Sequence, residues 1–384
     1  MFLNQSNSWI NKQLHYAIND STIFNAVFTQ INDKGALIVR CKKGEVHSSI
    51  YIFREDGKTD RLNIKDSDAF HSWNISTPLK NYLGPEDPRV FEWNGKLYLY
   101  YTMTNVRAQL PLRGIEYMPI DKKLTTRSRG IFLTPSISGS TSKAVEKNWV
   151  FFGNTTNTTE TLLSLYSLRP FIIGEVVQDT LKSRIHREYD CLQRFDRIHL
   201  SSNALKVNDS GTVELMFLFN DKVCYRECKM PLFYSYIAFM DAESPFHLKR
   251  ISKVPLRTKD ENIKNFQYIS SLTVAGKSAL WANVDDTIVV SGGNDDSSVF
   301  LEPFKTSHIL RLPTDSCSFK VNVELSLPIL AVHTRLEEVN TFNAVAHTSV
   351  ILATMSIVIF ALVLLYFLRT RRNKNGLYEQ VKDV

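Results

Sequence analysis

The run Gly84-Pro85-Glu86-Asp87-Pro88-Arg89 sets two carboxylates side by side and follows them with a guanidinium. Carboxylates are common proton donors and acceptors in catalysis, and a guanidinium grips an anionic oxygen pair bidentately. In extended chain, neighbouring side chains point to opposite sides, so Glu86 and Asp87 cannot both serve one reacting bond. The bland alternative is a turn fixed by an Asp before Pro, with Arg89 pairing to Glu86. Asp295 and Asp296 stand in a Gly-rich loop where a turn role and a site role compete. The five cysteines, Cys41, Cys191, Cys224, Cys228 and Cys317, allow at most two disulfides and leave one thiol over. A local Cys224–Cys228 bridge is one option. No His or second Cys pair stands at zinc-ligand spacing, so neither a metal nor another cofactor is expected.

The elements that must position these residues read as strands. VFEWNGKLYLYYTM, 90–103, is two runs of aromatic and β-branched residues around Asn94-Gly95, a dipeptide that accepts the positive φ values of a type I′ turn. Similar hairpins are predicted to turn near Gly35, between Gly153 and Thr159, at Gly211 and at Asp285-Asp286. The interval between turns is about 60 residues, with one longer gap, and regular recurrence of one unit means a repeat architecture. A lone four-stranded unit cannot bury both faces, so successive units must pack around an axis. The expected fold is all-β: a five-bladed β-propeller over 21–325, after an N-terminal segment 1–20. A β-sandwich is the alternative. Trp93 and Trp149 read as core rather than as sugar platforms.

The GPEDPR segment with the hairpin behind it resembles the EDPR-containing blade of the β-mannoside phosphorylases (glycoside hydrolase family 130) and of related β-1,2-mannosyltransferases. FNAVFTQINDKGALIVR resembles the first blade of that family, and EKNWVFFGN followed by LYSLRP resembles the third. FMDAESPFHLKRISKVPL resembles the loop after the fourth blade, and IVVSGGNDD resembles the closing blade. The matches run from Phe24 to Leu310, and the family's fold is a five-bladed propeller. The resemblance implies that Asp87 is the acid, acting through a sugar hydroxyl, with inorganic phosphate as the attacking group. It implies that Arg40, Arg89 and Lys147, with Arg169 as a fourth, clamp the anion, and that Glu86 and Asp295 belong to the substrate site. Two positions depart from the pattern. Phe171 stands where a His commonly follows LYSL-x-P, and SSNA at 201–204 stands where the family often reads GGTPA. Both changes would weaken phosphate or nucleotide binding, so altered donor use or glycan binding without turnover follows as an alternative.

Beyond the repeat, Thr348 to Leu368 carries no charge. At ~1.5 Å per residue it is about 30 Å long as a helix, the thickness of a bilayer core. It is preceded by a linker, 326–347, and followed by a tail, 369–384, that opens with Arg369, Arg371, Arg372 and Lys374. Basic flanks stay cytosolic, so a type I topology is expected, with the propeller in the secretory pathway (Golgi) or at the cell surface. Such a topology predicts a leader, and MFLNQSNSWINKQLHY has no apolar core of the needed length. Either the true N-terminus lies upstream or the chain is tail-anchored with its domain in the cytosol. Sequons occur at Asn4, Asn19, Asn74, Asn154, Asn157 and Asn208, the last four being the expected glycosylation sites. The basic flank would attract anionic lipid, and Tyr378 to Val381 fits the Tyr-x-x-apolar pattern of adaptor binding. A net charge of +7 without a basic run interleaved with aromatics gives nucleic-acid binding no support.

The expected function is a membrane-anchored carbohydrate-active protein that transfers or phosphorolyses mannose-type sugars. Its partners would be an oligosaccharide and phosphate or a sugar-phosphate donor. A non-catalytic glycan-binding propeller is the rival. A simple hydrolase would need a second carboxylate from Asp241 or Asp295.

Overall fold

The Asn94-Gly95 dipeptide closes a two-residue hairpin, with φ of 51° and 63°, as a type I′ turn requires. It joins two of the strands that fill a computed structural model. The structure describes residues 22–31, 34–43, 47–61, 85–105, 112–120, 130–136, 148–156, 159–223, 232–257, 267–277, 279–294 and 298–319. Strands β1 (Thr22–Ile31), β2 (Lys34–Lys43), β3 (His47–Arg54) and β4 (Thr59–Arg61) pair in chain order as an antiparallel meander. The same order repeats in β5 (Glu86–Trp93), β6 (Lys96–Asn105), β7 (Leu112–Pro119) and β8 (Ile131–Ser136). It repeats again in β9 (Val150–Thr156), β10 (Thr159–Leu168), β11 (Phe171–Val177) and β12 (Thr180–Arg187). In the fourth unit β13 (Ile198–Leu200) and β14 (Leu205–Asp209) share the partner β15 (Thr212–Val223), followed by β16 (Leu232–Asp241) and β17 (Leu248–Ser252). The fifth holds β18 (Gln267–Val274), then β19 (Trp281–Asn283), β20 (Thr287–Asn294) and β21 (Ser298–Lys305); β22 (Thr314–Ser316) returns to pair with β17.

Burial grades along each unit. Leu215 to Phe219 of β15 are buried without a break, whereas β12 alternates between buried or half-buried and exposed positions. That is the contrast between a strand covered on both faces and one with a single face turned to solvent. The apolar core divides into five clusters, and each joins successive units. Ile38 and Ile52 meet Leu99 and Tyr101 between the first and second. Phe91 and Tyr100 meet Trp149 and Phe151 between the second and third. Phe152 and Phe171 meet Phe217 and Met240 in the next interface, and Leu218 and Phe239 meet Leu272 and Val290 in the one after. The last cluster brings Val289 of β20 onto Ala26 and Leu37, so the final unit packs on the first. There the Ser270 hydroxyl donates to the Ala26 carbonyl at 2.7 Å, and the Phe28 N–H donates to Ser291 Oγ at 3.2 Å. A ring of interfaces that closes on itself is a β-propeller arrangement, and it buries both faces of every interior sheet. The fold is all-β.

Two expectations need correction. The turn at Asp285-Asp286 forms, with the Asp286 N–H donating to the Asn283 carbonyl at 3.0 Å. The strand before it does not pair with β20, however. β19 lies parallel to β14, covering an edge that would otherwise expose unpaired backbone. In the first hairpin the register sets Ile31 opposite Lys34, so Gly35 lies inside β2, paired with Gln30, and not at the turn. The disulfide in the described residues is Cys191–Cys317, a pairing at a sequence separation of 126 that local spacing cannot reveal. Cys224 and Cys228 lie outside the described residues, and Cys41 is a buried free thiol that burial pushes up to about 12. Among the described residues no helix is long and apolar enough to cross a membrane. The span Thr348 to Leu368, its flanks and the Tyr378 to Val381 motif all lie outside them.

Candidate active site

The first strands of successive units share an irregularity at one end. The ladder of β1 with β2 shifts register between Phe24 and Val27, and that of β5 with β6 shifts between Glu86 and Arg89. Inside these bulges Asn25 and Asp87 take φ of 53° and 51°, and Asn148, just ahead of β9, takes 67°. The left-handed region is closed to most side chains but open to Asn and Asp, which explains the residue types. β13 and β14 are separated by residues 201–204, and β18 shifts register between Ile269 and Ser271. Bulges re-aim side chains and gather at functional rims.

The bulges of β1 and β5 bring two carboxyl groups, a guanidinium and an amide together. Arg40 of β2 forms an ion pair with Glu86 and places Nη1 3.4 Å from Asp87 Oδ1. Asn25 donates from Nδ2 to the same Asp87 oxygen at 2.5 Å. Glu86 is 5% exposed and Asn25 6%, while the Asp87 side chain keeps 12% of its surface open. Asp87 is thus the carboxylate held by two donors and still reached by solvent. Asn25 was missed by the sequence reading. Its signal was a polar residue heading the apolar run AVF, which is too common a pattern to single out.

Arg89 is placed differently. It is 1% exposed, and its guanidinium reaches into three other units. Nη2 donates to Asn148 Oδ1 at 3.0 Å, to the Tyr268 hydroxyl at 2.9 Å and to the Leu200 carbonyl at 3.3 Å, while Nη1 donates to the Trp149 carbonyl at 3.4 Å. Burial works against its charge, but Tyr268, Tyr100 and Asp87 hold its pKa above the ordinary value. Burial pushes the Tyr100 phenol up to about 12, and that hydroxyl donates to the Trp149 carbonyl at 2.9 Å. These bonds fasten the first strands of the units to one another around the axis, beside the Asp87 bulge.

Arg169 caps a different segment: it donates to the carbonyls of Phe195 at 2.5 Å and Asp196 at 2.7 Å, steadying the chain ahead of β13. Asp241 ends β16, where it accepts from the His247 N–H at 3.1 Å and lies 3.3 Å from Lys249 Nζ. Trp149 is fully buried and Trp93 packs against the same cluster. Lys147, Asp295, Asn74 and Asn157 lie outside the described residues; Asn154 is half-buried on β9 and Asn208 half-buried on β14. Phe171 is buried with its ring 5.1 Å from that of Tyr189. In the 201–204 segment, the Asn203 amide accepts from the Leu272 N–H at 2.9 Å and donates to the Leu272 carbonyl at 2.8 Å, stitching the fourth unit to the fifth.

No family model and no curated protein matches the chain. Solved structures do. A glycoside hydrolase from Parabacteroides distasonis, so described without an assigned activity, is 14% identical over 74% of this chain and 86% of its own, with a TM-score of 0.49. Structures of the GH130 family are among those similar to this chain. One, from work on the mannoside phosphorylases of that family and on its hydrolases of β-1,2-mannosidic linkages in Candida mannan, is 13% identical over 74% of this chain and 84% of its own, with a TM-score of 0.47. A GH43 protein from Bacillus licheniformis is 10% identical over 75% of this chain and 54% of its own, with a TM-score of 0.45.

Proposed function

We propose that the chain is a carbohydrate-active enzyme that transfers or phosphorolyses mannose-type glycosides, with Asp87 as its acid. The observation that carries this is the placement of Asp87 in a left-handed bulge, held by Asn25 and Arg40 and still open to solvent. In the reaction the glycosidic C1–O bond breaks, and the leaving oxygen takes a proton supplied by Asp87 through a sugar hydroxyl. An oxygen of phosphate, or of an acceptor sugar, bonds to C1 from the other side. Glu86 and Asp87 meet the same Arg40 guanidinium, and Glu86, the more buried of the two, is assigned to holding Arg40 rather than to acting as a second acid. With Arg89 committed to protein acceptors and Arg40 paired with Glu86 and Asp87, Lys147 is the cation of the expected clamp assigned to an anionic donor.

The test is incubation of the full chain with mannobiose and inorganic phosphate, and in reverse with mannose-1-phosphate or GDP-mannose and an oligomannoside. A mannosyl product that disappears in Asp87→Asn supports the assignment. No product with any donor overturns the enzyme reading. A second reading, glycan binding without turnover, draws on Phe171, which occupies a core position where the family's pattern commonly has His. Binding of oligomannoside with no product under any of these conditions would favour it.

We further propose that the propeller faces a lumen or the cell exterior, anchored by Thr348 to Leu368. The Cys191–Cys317 disulfide favours this, since such bonds persist in oxidising compartments and not in most cytosols.

A further inference from the structure

At the other end of the first strands lies a second cavity. Asp87 and Glu92 are both on β5, and five residues of strand at ~3.3 Å each put them about 16 Å apart. The cavity measures about 260 Å³. Its apolar wall includes Phe151, Leu215 and Leu280, and its polar groups are Glu92, Glu160 and Lys206, with Trp281 beside them. Trp281 is 37% exposed, whereas most aromatic rings among the described residues are buried.

The polar groups are held in place. Glu92 Oε2 accepts from the Leu280 N–H at 2.9 Å, and Glu160 Oε2 accepts from the Asn94 N–H. Each carboxylate is therefore fixed by one oxygen, and among the described residues the other oxygen makes no hydrogen bond. Glu160 lies where a Cβ on Gly153 would stand, 2.0 Å from Oε1, so the missing side chain at 153 makes room for it. Lys206 is tied through its backbone, its N–H donating to the Leu280 carbonyl at 3.0 Å, and its ammonium forms no ion pair among the described residues.

Two carboxylates repel an anion, and Lys206 repels a cation. A neutral polyhydroxylated ring satisfies both, since each hydroxyl donates to a carboxylate and accepts from an ammonium. The flat C–H face of a pyranose also suits an exposed indole, and an apolar pocket with a few convergent polar groups is the usual form of a small-ligand site. We infer that this cavity is a second, non-catalytic carbohydrate site, which binds a neutral oligosaccharide at the mouth opposite Asp87.

The test uses the full chain, labelled with 5-fluorotryptophan, in a detergent without a sugar headgroup. The Trp281 resonance is assigned by its loss in Trp281→Phe, and mannotetraose is titrated. The resonance should shift with saturation, Lys206→Met should weaken that response at least tenfold, and tetramethylammonium should not reproduce it. Thermal unfolding of Lys206→Met should match the parent, because the side chain makes no bond that holds the fold. The same titration on Asp87→Asn should still shift Trp281, so the outcome does not depend on the activity proposed for the other mouth. An unmoved Trp281 resonance at millimolar mannotetraose, an undiminished response in Lys206→Met, or a response to the cation alone would overturn the proposal.

Discussion

A carboxylate at φ 51° limits what can replace it. Asn tolerates the left-handed region and keeps the shape of Asp, whereas a β-branched residue there is strained by about 1–3 kcal/mol. Asp87→Asn should therefore leave the unfolding midpoint within a few degrees of the parent while lowering mannosyl transfer by at least about 10²-fold, the usual scale for loss of a general acid. Asp87→Val should lose both. Measuring midpoint and rate on the same samples separates the proton-donor role from a structural one. Arg89 should behave in the opposite way. Arg89→Met leaves Asn148, Tyr268 and two carbonyls facing a hydrocarbon, and breaking a buried charged network of this kind costs about 3–5 kcal/mol. Denaturant melts should show the loss, and Tyr268→Phe should show about 1 kcal/mol. An Arg89→Met protein as stable as its parent would mean that the guanidinium does not fasten the units together. The EDPR run made Asp87 and Arg89 visible in sequence, but not their division of labour. A cation two residues from an acid looks like a ligand clamp until its burial and its partners from three other units are known.

Among the elements, hairpins with a dipeptide signal were legible and pairings across distance were not. Asn94-Gly95 and Ser210-Gly211 both adopt positive φ where their chemistry allows it. The parallel contact of β19 with β14 is set by edge protection, which leaves no local mark on ALWAN. Nor does sequence show that Cys191 finds Cys317. That bond closes a long loop, and by chain entropy a closure of 126 residues stabilises by about 4–5 kcal/mol. Cys317→Ser, or mild reduction, should lower the unfolding midpoint accordingly. Asp190 and Ser318 flank the bond, with the Ser318 hydroxyl donating to Asp190 Oδ2 at 2.6 Å. Nearby, His247 stacks on Phe319 at 5.0 Å, and burial together with the Arg187 charge depresses its pKa below the ordinary 6.5. An unfolded chain then binds a proton that the folded one refuses, so stability falls with pH from about 6.5 down to the depressed value. His247→Gln should flatten that part of the stability–pH curve, as measured by denaturant midpoints between neutral and mildly acidic buffer. An unchanged slope would assign the titration elsewhere.

For the whole molecule, ring closure and topology make separate demands. Closure was legible because five similar hairpins at a regular interval have few ways to bury both faces, and the five core clusters run around the ring in chain order. The topology expected from the sequence rests on charge alone, as basic residues after an uncharged stretch. The disulfide is an independent support, because bonds such as Cys191–Cys317 persist in oxidising compartments. Both lines favour the proposal that the propeller faces the side of a membrane where Asn-linked glycans are added. Asn208 is half-buried at the β14–β15 hairpin, its side-chain oxygen accepting from the Gly211 N–H at 3.1 Å. Expressed in a eukaryotic cell behind its natural start, the full chain should migrate faster after endoglycosidase treatment. It should migrate slower on reduction, and Asn208→Gln should remove part of the first shift. A tail-anchored chain with a cytosolic propeller would show neither shift, because the glycan and the disulfide depend on the same compartment. Loss of one shift without the other would break that link: a disulfide without glycans would leave the lumen assignment resting on Cys191–Cys317 alone, and glycans without the disulfide would put the fold's cross-link, not its topology, in error.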